Sequence, residues 1–183
     1  MLLDATTASL LVIDVQDRLL PAMRGAEQVE KHCGILLKVA RALDVPVTVS
    51  EQYPRGLGHT VPALKEDAGN APVFEKLNFS CWRDPALKTH MVGHHEAGRP
   101  QVIAAGIEAH VCVLQSCIDL AMAGFGVFAV ADAMSSRAES SVVMTHDRMR
   151  NAGVEVITTE MAVFELLGRA GTSEFKTLSA LIR

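Results

Sequence analysis

Ala104-Ala105-Gly106-Ile107-Glu108-Ala109-His110-Val111-Cys112-Val113 has the pattern of a buried strand, a turn and the start of a helix. The apolar run ends at a glycine, and a cysteine follows where the helix should begin. A thiol on the first turn of a helix faces unpaired backbone N–H groups and the positive end of the helix dipole. Both favour the thiolate, which is the nucleophilic form of cysteine. The sequence therefore predicts a reactive thiol at Cys112.

Short apolar runs alternate with helical patterns on both sides of this turn, which is typical of a parallel sheet with crossover helices. The predicted strands are Ser9–Val15, Val45–Ser50, Val73–Glu75, Gln101–Gly106, Gly126–Ala131 and Val154–Thr158. Helices are predicted over Glu27–Leu43, Pro85–Ala97, Ala109–Ala123, Ser136–Ala152, Glu160–Arg169 and Ser173–Ile182. No linker or repeat interrupts this order. We expect an α/β fold, with residues 1–183 forming a single Rossmann-like, three-layer α/β/α domain around a six-stranded parallel sheet.

Local signals place two of the helix starts and one long loop. Asp84 precedes Pro85, the pattern of an N-cap followed by proline at the first helical position. Ser136 and Glu139 have capping-box spacing. Residues 51–72 carry three Pro and three Gly, and we expect them to form the longest irregular stretch. A loop of that length in a compact domain is more often functional than idle.

Composition excludes several classes of partner. The 183 residues are 49% hydrophobic and 21% charged, and the net charge is −4, which argues against nucleic acid as a partner because phosphate binding needs a basic face. No apolar run approaches the roughly 20 residues that cross a bilayer, and the first residues lack the basic start of a secretory signal. The cysteines are scattered (Cys33, Cys81, Cys112 and Cys117), which suits a reducing compartment. We expect a cytoplasmic protein without a membrane partner.

Three reactive side chains follow predicted strands. Asp14 ends the first strand, Lys76 follows the third, and Cys112 follows the fourth. Ligands of open parallel sheets bind at the carboxyl ends of the strands, so we expect these three to meet. Together they offer a base, a positive charge and a nucleophile for acyl transfer, with the N–H of Cys112 and a neighbouring N–H as an oxyanion hole.

Each of the three residues also has an ordinary explanation. A cysteine on a buried helix is usually a small apolar filler, and a lone lysine is usually a solvated surface group. An acid that ends an apolar strand needs a partner, which a capping role would supply. A chance origin is less credible for three reactive residues that all follow predicted strands than for any one of them. A shared site is therefore the better interpretation.

Other residues give weaker evidence of a metal or cofactor site. His90, His94 and His95 include an i, i+4 pair on one predicted helix, but no acidic or thiol ligand lies near in sequence, so we predict no metal there. Gly106 is isolated and lacks the glycine pattern of a nucleotide-binding loop. We therefore expect no cofactor.

The chain resembles the isochorismatase-like cysteine hydrolase superfamily, which includes nicotinamidases, N-carbamoylsarcosine amidases and isochorismatases. Four segments carry the resemblance: Leu11-Val12-Ile13-Asp14-Val15-Gln16, Phe74-Glu75-Lys76, Gly106-Ile107-Glu108-Ala109-His110-Val111-Cys112-Val113 and Val130-Ala131-Asp132-Ala133-Met134-Ser135-Ser136-Arg137. Glu51-Gln52-Tyr53-Pro54-Arg55-Gly56-Leu57-Gly58, with Phe175-Lys176, most resembles the isochorismatase domain-containing proteins. The ordered set covers nearly the whole chain.

The resemblance implies a catalytic triad of Asp14, Lys76 and Cys112, the same residues that the strand ends select. It also implies a non-proline cis peptide between Ile107 and Glu108, which directs the Glu108 N–H, together with that of Cys112, at the oxyanion. Superfamily members that cleave a vinyl ether lack the cysteine. The presence of Cys112 therefore favours amidase-like chemistry.

One departure from the superfamily bears on metal use. Nicotinamidases hold a divalent metal with an Asp-x-His pair and a further histidine in the loop after the second strand. This chain has Glu51-Gln52-Tyr53 there, with His59 as the loop's histidine. The departure disfavours both the metal and nicotinamide as the substrate.

These observations lead to a cysteine hydrolase that cleaves a C–N bond of a small amide-like molecule, with no cofactor. By position, Tyr53, Phe79 and Trp82 are candidates to line the substrate pocket. The resemblance also implies a homo-oligomer. The alternatives are a metal-dependent nicotinamidase-type amidase and a non-catalytic interaction protein on the same scaffold, in which Cys112 would titrate near the ordinary thiol value of about 8.5.

Overall fold

The computed structural model describes residues 1–182 and contains one six-stranded sheet whose paired strands are all parallel. The strand order is β3-β2-β1-β4-β5-β6, as in a doubly wound sheet. The bounds are β1 Ala8–Ile13, β2 Val47–Gln52, β3 Val73–Lys76, β4 Gln101–Ile107, β5 Gly126–Ser135 and β6 Glu155–Ile157. The predicted fold class is confirmed.

Eight α-helices connect and cover the strands. They are α1 Ala26–Ala42, α2 Pro54–Leu57, α3 Pro62–Ala68, α4 Pro85–Glu96, α5 Leu114–Met122, α6 Glu139–Asn151, α7 Thr159–Leu167 and α8 Ser173–Leu178. Shorter 3₁₀ turns occupy Leu20–Ala22, Cys81–Arg83 and Ser179–Ile182, and a π-helical turn occupies Ala109–Val113. Within residues 1–182, no helix is both long enough and apolar enough to cross a membrane.

The sheet divides the apolar core in two. β1 is buried along its whole length, and its side chains alternate between the faces: Leu10 and Val12 pack with α1 and α7, whereas Leu11 and Ile13 pack with α4, α5 and α6. Strands buried on both faces form near-continuous apolar runs, which is why the sequence marks them clearly.

Two local predictions are wrong. Residues 51–72 are not one irregular stretch, because β2 continues to Gln52 and two short helices, α2 and α3, follow, each with proline at its start. The Ser136–Glu139 capping box does not form: the Ser136 hydroxyl is hydrogen-bonded to His110, and α6 begins at Glu139 after Ala138. The Asp84 cap is confirmed, since its carboxylate accepts from the N–H groups of Ala86 and Leu87.

Gly106 holds β4 against the end of β1. Its φ is +121°, and a Cβ on this residue would overlap the backbone of Ile13, including its carbonyl oxygen. Only glycine suits both the dihedral angle and the close approach. This glycine therefore places the end of β4 beside Asp14, the residue that follows Ile13.

Replacing Gly106 with alanine is expected to lower the free energy of unfolding by about 3 kcal/mol or more, because strain at a positive φ adds to overpacking against backbone. Urea denaturation measures the change. Gly93→Ala in α4 is the matched control, since a Cβ there meets nothing within 4 Å; it should leave stability unchanged or raise it slightly. Equal stability of the two variants would contradict the prediction.

Candidate active site

Asp14 lies at the carboxyl end of β1 with its side chain fully buried. Its φ of +55° is unusual for a non-glycine residue. The backbone N–H donates to the Ser50 carbonyl oxygen at 3.0 Å, which ties the residue to β2. Its carboxylate accepts from the Ser50 hydroxyl (Oγ to Oδ1, 2.8 Å) and from the Lys76 ammonium (Nζ to Oδ2, 2.7 Å).

Lys76 ends β3, and its ammonium group is also fully buried. Besides Asp14, Nζ donates to Gln52 Oε1 at 2.7 Å and to the Phe79 carbonyl oxygen at 3.2 Å, so all three of its protons have acceptors. Burial opposes the charge, but the Asp14 carboxylate and two nearby thiols outweigh it and hold the pKa of Lys76 above its ordinary value. The lysine is a fixed positive charge and not a solvated surface group.

Cys112 lies in the π-helical turn after β4 with 4% of its surface exposed. Burial, followed by the Asp14 charge, raises the pKa of this thiol far above its ordinary value, and Lys76 only partly offsets the rise. The expectation that the helix start favours a thiolate is therefore wrong, because desolvation outweighs the dipole. At neutral pH the thiol therefore keeps its proton, and the Asp14 carboxylate and the Lys76 ammonium are the charges with the largest effect on it.

Of the three strand-end residues, Asp14 and Lys76 are in direct hydrogen-bond contact, and the charges of both act on the Cys112 thiol. Their assignment as a catalytic triad stays a prediction. The peptide between Ile107 and Glu108 is cis, as expected. The Glu108 side chain pairs with Arg137 (Oε2 to Nε, 2.9 Å), and its carbonyl oxygen accepts from the N–H groups of Val111 and Val113. Glu108 is therefore held at both its side chain and its carbonyl, directly before the turn that carries Cys112.

Ser50, Gln52 and Cys81 also belong to the site, although the sequence analysis missed them. Ser50 and Gln52 end β2, next to the ends of β1 and β3, and contact Asp14 and Lys76 respectively. Ser50 ends the predicted strand, so the strand-end rule applied to it directly, and the rule would also have found Gln52 if β2 had been drawn to its full length. Cys81 lies in a 3₁₀ turn and contacts Ser50 (Sγ to Oγ, 3.6 Å), a contact for which the sequence has no signal.

A cavity of about 490 Å³ adjoins the lysine. It is lined by Tyr53, Pro54, Arg55, Glu75, Lys76, Leu77, Asn78 and Asp84. Of the candidate pocket residues, Tyr53 lines this cavity and Phe79 is exposed nearby. The Trp82 ring packs edge to face on Phe125, with centroids 5.6 Å apart. The assignment of Tyr53, Phe79 and Trp82 to a substrate pocket stays a prediction.

The residues after β2 do not suit a divalent metal. Glu51 Oε1 accepts from the N–H and hydroxyl of Thr60 at 2.7 and 2.8 Å, and Oε2 contacts His59 Nδ1 at 2.8 Å. A cation would have to displace these bonds, and Tyr53 offers no imidazole. Among residues 1–182, no group of three or more His, Cys, Asp or Glu is placed to hold a metal ion.

The Glu51 contacts predict a pH-dependent stability. Burial alone would raise the pKa of Glu51, but hydrogen bonds from Thr60 and His59 outweigh it and hold the pKa below its usual value. A carboxyl of this kind stabilises the fold above its unfolded-state pKa, and the contribution is lost as the pH falls through the folded-state pKa. Glu51→Gln should therefore cost about 1 kcal/mol at neutral pH and progressively less below about pH 4.

Urea denaturation at several pH values checks this prediction. The exposed Glu66 of α3 supplies the control variant Glu66→Gln, which should have little effect at any pH. A Glu51→Gln deficit that is constant across the pH range would show that the carboxylate charge contributes nothing.

The histidines of α4 bond to each other. His90 and His94 have their Nε2 atoms 3.1 Å apart, and His90 Nε2 also lies 3.0 Å from the Thr48 hydroxyl. Burial lowers the pKa of both imidazoles. These contacts favour a neutral, hydrogen-bonded pair.

Comparisons with known proteins point to one family. The family model of the isochorismatase domain matches residues 8–161. Isochorismatase domain-containing protein 2A of Mus musculus is 36% identical over 174 residues, which cover 95% of this chain and 82% of that protein. The secreted isochorismatase effector Isc1 of Phytophthora sojae is 39% identical over 151 residues, which cover 81% of this chain and 71% of the effector.

Comparison with solved structures leads to the same family. The MAR1 ribonuclease from Caenorhabditis elegans superposes with a TM-score of 0.92 at 36% identity, covering 100% of this chain and 92% of that one. The YcaC gene product from Escherichia coli, described as an octameric hydrolase of unknown specificity, superposes with a TM-score of 0.90 at 26% identity, covering 99% and 90% of the two chains. The fold and the sequence resemblance therefore lead to the same group of proteins.

Proposed function

The chain belongs to the isochorismatase family, whose fold supports a hydrolase-type function, and we propose that it is a cysteine hydrolase that cleaves a C–N bond of a small amide-like substrate. The observation that carries the proposal is the fully buried Asp14–Lys76 pair beside the Cys112 thiol. Burying an ion pair usually costs more than the pair returns, so such a pair is poorly explained by stability alone. It is well explained as catalytic machinery.

The reaction begins at the thiol. As Cys112 Sγ attacks the substrate carbonyl carbon, its proton passes to the Asp14 carboxylate. The carbonyl oxygen becomes an oxyanion, which the backbone N–H groups of Glu108 and Cys112 stabilise. The C–N bond then breaks, and the amine leaves with the proton from Asp14. A thioester on Cys112 remains.

Water completes the cycle. Asp14 accepts a proton from the water molecule as its oxygen attacks the thioester carbonyl. The C–S bond breaks, the proton returns to sulfur, and the carboxylic acid product leaves. Asp14 thus serves twice as base and twice as acid, which requires a carboxylate that stays in one place.

Lys76 holds the Asp14 carboxylate in one place. Its three hydrogen bonds fix Nζ between Asp14, Gln52 and Phe79, and its charge offsets that of the carboxylate. The raised pKa of Cys112 fits a mechanism in which the thiol loses its proton during attack and not before. This protonated resting state also protects the nucleophile from oxidation, since the thiolate is the reactive form.

Two alternatives have less support. A metal-dependent nicotinamidase needs metal ligands at the end of β2, where both carboxylate oxygens of Glu51 are already hydrogen-bonded. A non-catalytic interaction protein has no use for a buried acid, lysine and thiol in contact. A net charge of −4 also favours a small molecule over RNA as the substrate, although the Caenorhabditis elegans structural neighbour is named a ribonuclease.

Assembly and location follow as parts of the same proposal. The YcaC relative is described as octameric, and Met161 and Phe164 of α7 are 46% and 43% exposed, which suits a homo-oligomer. The scattered reduced cysteines suit a cytoplasmic location. The Phytophthora sojae relative is named as a secreted effector.

The proposal is tested by a screen. Purified protein is offered a panel of small amides and ureides, and amine or ammonia release is measured alongside the intact protein mass. Substrates should produce an acyl adduct that maps to Cys112. Release of amine without any adduct on Cys112, even in rapidly quenched samples, combined with full activity of a Cys112→Ala variant, would overturn the mechanism.

A further inference from the structure

We propose that Ser50 and Cys81 form a hydrogen-bond relay that positions the Asp14 carboxylate. In this relay the Cys81 thiol donates to the Ser50 hydroxyl, and that hydroxyl donates to Asp14 Oδ1. The relay rests on the proposed function, in which Asp14 takes the proton of Cys112. Cys81, the second thiol of the site, then acts through Ser50 and is a positioning residue and not a second nucleophile.

The direction of the relay follows from proton counting. Ser50 Oγ lies 2.8 Å from Asp14 Oδ1 and 3.6 Å from Cys81 Sγ. A carboxylate only accepts hydrogen bonds, so the single hydroxyl proton of Ser50 goes to Asp14. The serine oxygen must then accept from Cys81, which has to be a thiol. Burial, together with the Asp14 charge, raises the pKa of Cys81 to about 11, so the thiol is the form present at neutral pH.

The position of Cys81 is tied to that of Cys112. The Cys81 N–H donates to Ser116 Oγ at 2.8 Å, and the Ser116 hydroxyl donates to the Cys112 carbonyl oxygen at 2.7 Å. Ser116 therefore links the segment that carries the second thiol to the turn that carries the nucleophile. Ser50, Cys81 and Ser116 are all at most 1% exposed, so bulk water does not replace these bonds.

Two side-chain donors from two strands thus converge on the Asp14 carboxylate. Ser50 comes from β2 and Lys76 from β3, and the Cys112 thiol lies in the turn after β4. The ionisable groups that face Asp14 are Lys76, Cys81 and Cys112. The Ser50 bond stabilises the carboxylate form, because the hydroxyl donates to it. Loss of that bond should make the carboxylate a stronger base, so that it accepts the Cys112 proton more readily and the thiolate forms at lower pH.

Alkylation of Cys112 by iodoacetamide tests the relay without a substrate. The rate at Cys112 is followed by peptide mass mapping across a pH series. Ser50→Ala should speed alkylation at neutral pH roughly tenfold and displace the rate–pH profile to lower pH, because a carboxylate that has lost a hydrogen-bond donor accepts the Cys112 proton more readily. Ser9→Ala is the matched control: this buried β1 serine donates to the Gln101 carbonyl oxygen, away from the site, and its profile should match wild type.

A second pair of variants tests the other member of the relay. Cys81→Ala removes the donor to Ser50 and should shift the profile in the same direction by a smaller factor, about threefold. Cys117→Ala is its control, because Cys117 is equally buried in the same core cluster. If Ser50→Ala does not fold, as judged by thermal unfolding, the Cys81→Ala profile decides alone.

The outcomes separate the relay from the proposed function. Asp14→Asn should reduce turnover of the best amide substrate strongly, because the base of the proposed reaction is lost. If it does, while Ser50→Ala and Cys81→Ala keep the alkylation profiles of their controls, the relay is wrong and the proposed function stands. If Asp14→Asn keeps full turnover, both proposals fail together. Profiles shifted by Ser50→Ala and Cys81→Ala but not by Ser9→Ala or Cys117→Ala support the relay.

Discussion

Replacing Cys112 with alanine is expected to reduce turnover of any amide substrate by at least about 10⁴-fold, because no acyl-enzyme can form without the sulfur. The buried Asp14–Lys76 pair should remain intact, because Asp14 keeps its hydrogen bonds to Lys76 and Ser50 when the thiol is removed. Steady-state rates on the best substrate from the amide and ureide panel measure the loss. Substrate binding should survive, so titration of the variant with that substrate should still reach saturation.

Cys117→Ala is the control for this experiment. Cys117 is as buried as the nucleophile and lies one helical turn further along the same segment, in α5. Its removal costs packing but no chemistry, so turnover should stay within about twofold of wild type at temperatures where the variant is folded. Comparable losses in the two variants would indicate damage to the core and would contradict a nucleophilic role for Cys112.

Replacing Asp14 with asparagine is expected to impair both activity and stability. The base is lost, which should lower turnover by about 10³-fold or more. The Lys76 ammonium is left buried without its counter-charge, and breaking one side of a buried pair costs roughly 3–5 kcal/mol. Urea denaturation at neutral pH and steady-state kinetics on the same preparation measure the two effects.

A double variant separates charge from packing. Lys76→Met on its own should destabilise the fold, because it leaves the Asp14 carboxylate without its cation. Asp14→Asn combined with Lys76→Met removes both charges and should recover much of the stability that either single change loses, while turnover stays at the background level. Stability losses that simply add in the double variant would show that the two side chains do not act as a pair.

Much of the site could be predicted from the sequence because two signals identify the end of a buried strand. A buried parallel strand is a continuous apolar run, so its end is visible, and a polar residue there stands out. Asp14, Lys76 and Cys112 all have this mark, and parallel strands place such residues at one edge. The resemblance to the isochorismatase-like hydrolases selected the same three residues through their motifs.

Other features depend on contacts between distant segments. Gln52 was missed because β2 was drawn two residues short of its end, whereas Ser50 was the last residue of the predicted strand and was not considered as a site residue. The long stretch that follows β2 is folded into helices α2 and α3. Ser136 had the spacing of a helix cap, but its hydroxyl is taken by His110, a partner 26 residues away. A capping pattern in the sequence takes account only of nearby backbone partners. A side chain that is distant in sequence can form the hydrogen bond with the capping residue instead.

By itself, the sequence was sufficient for the six-stranded parallel sheet and for placing Asp14 and Lys76 at one edge of it, because apolar periodicity is a local property and parallel strands end at the same edge. The protonation of Cys112 and the place of Cys81 were decided by tertiary structure alone. Helix position suggested a thiolate, but the pKa of a thiol depends on every group that excludes water from it, and those groups come from β1, β2, β3 and α5. Burial is a property of the whole assembled site, and for this cysteine it outweighs the local dipole.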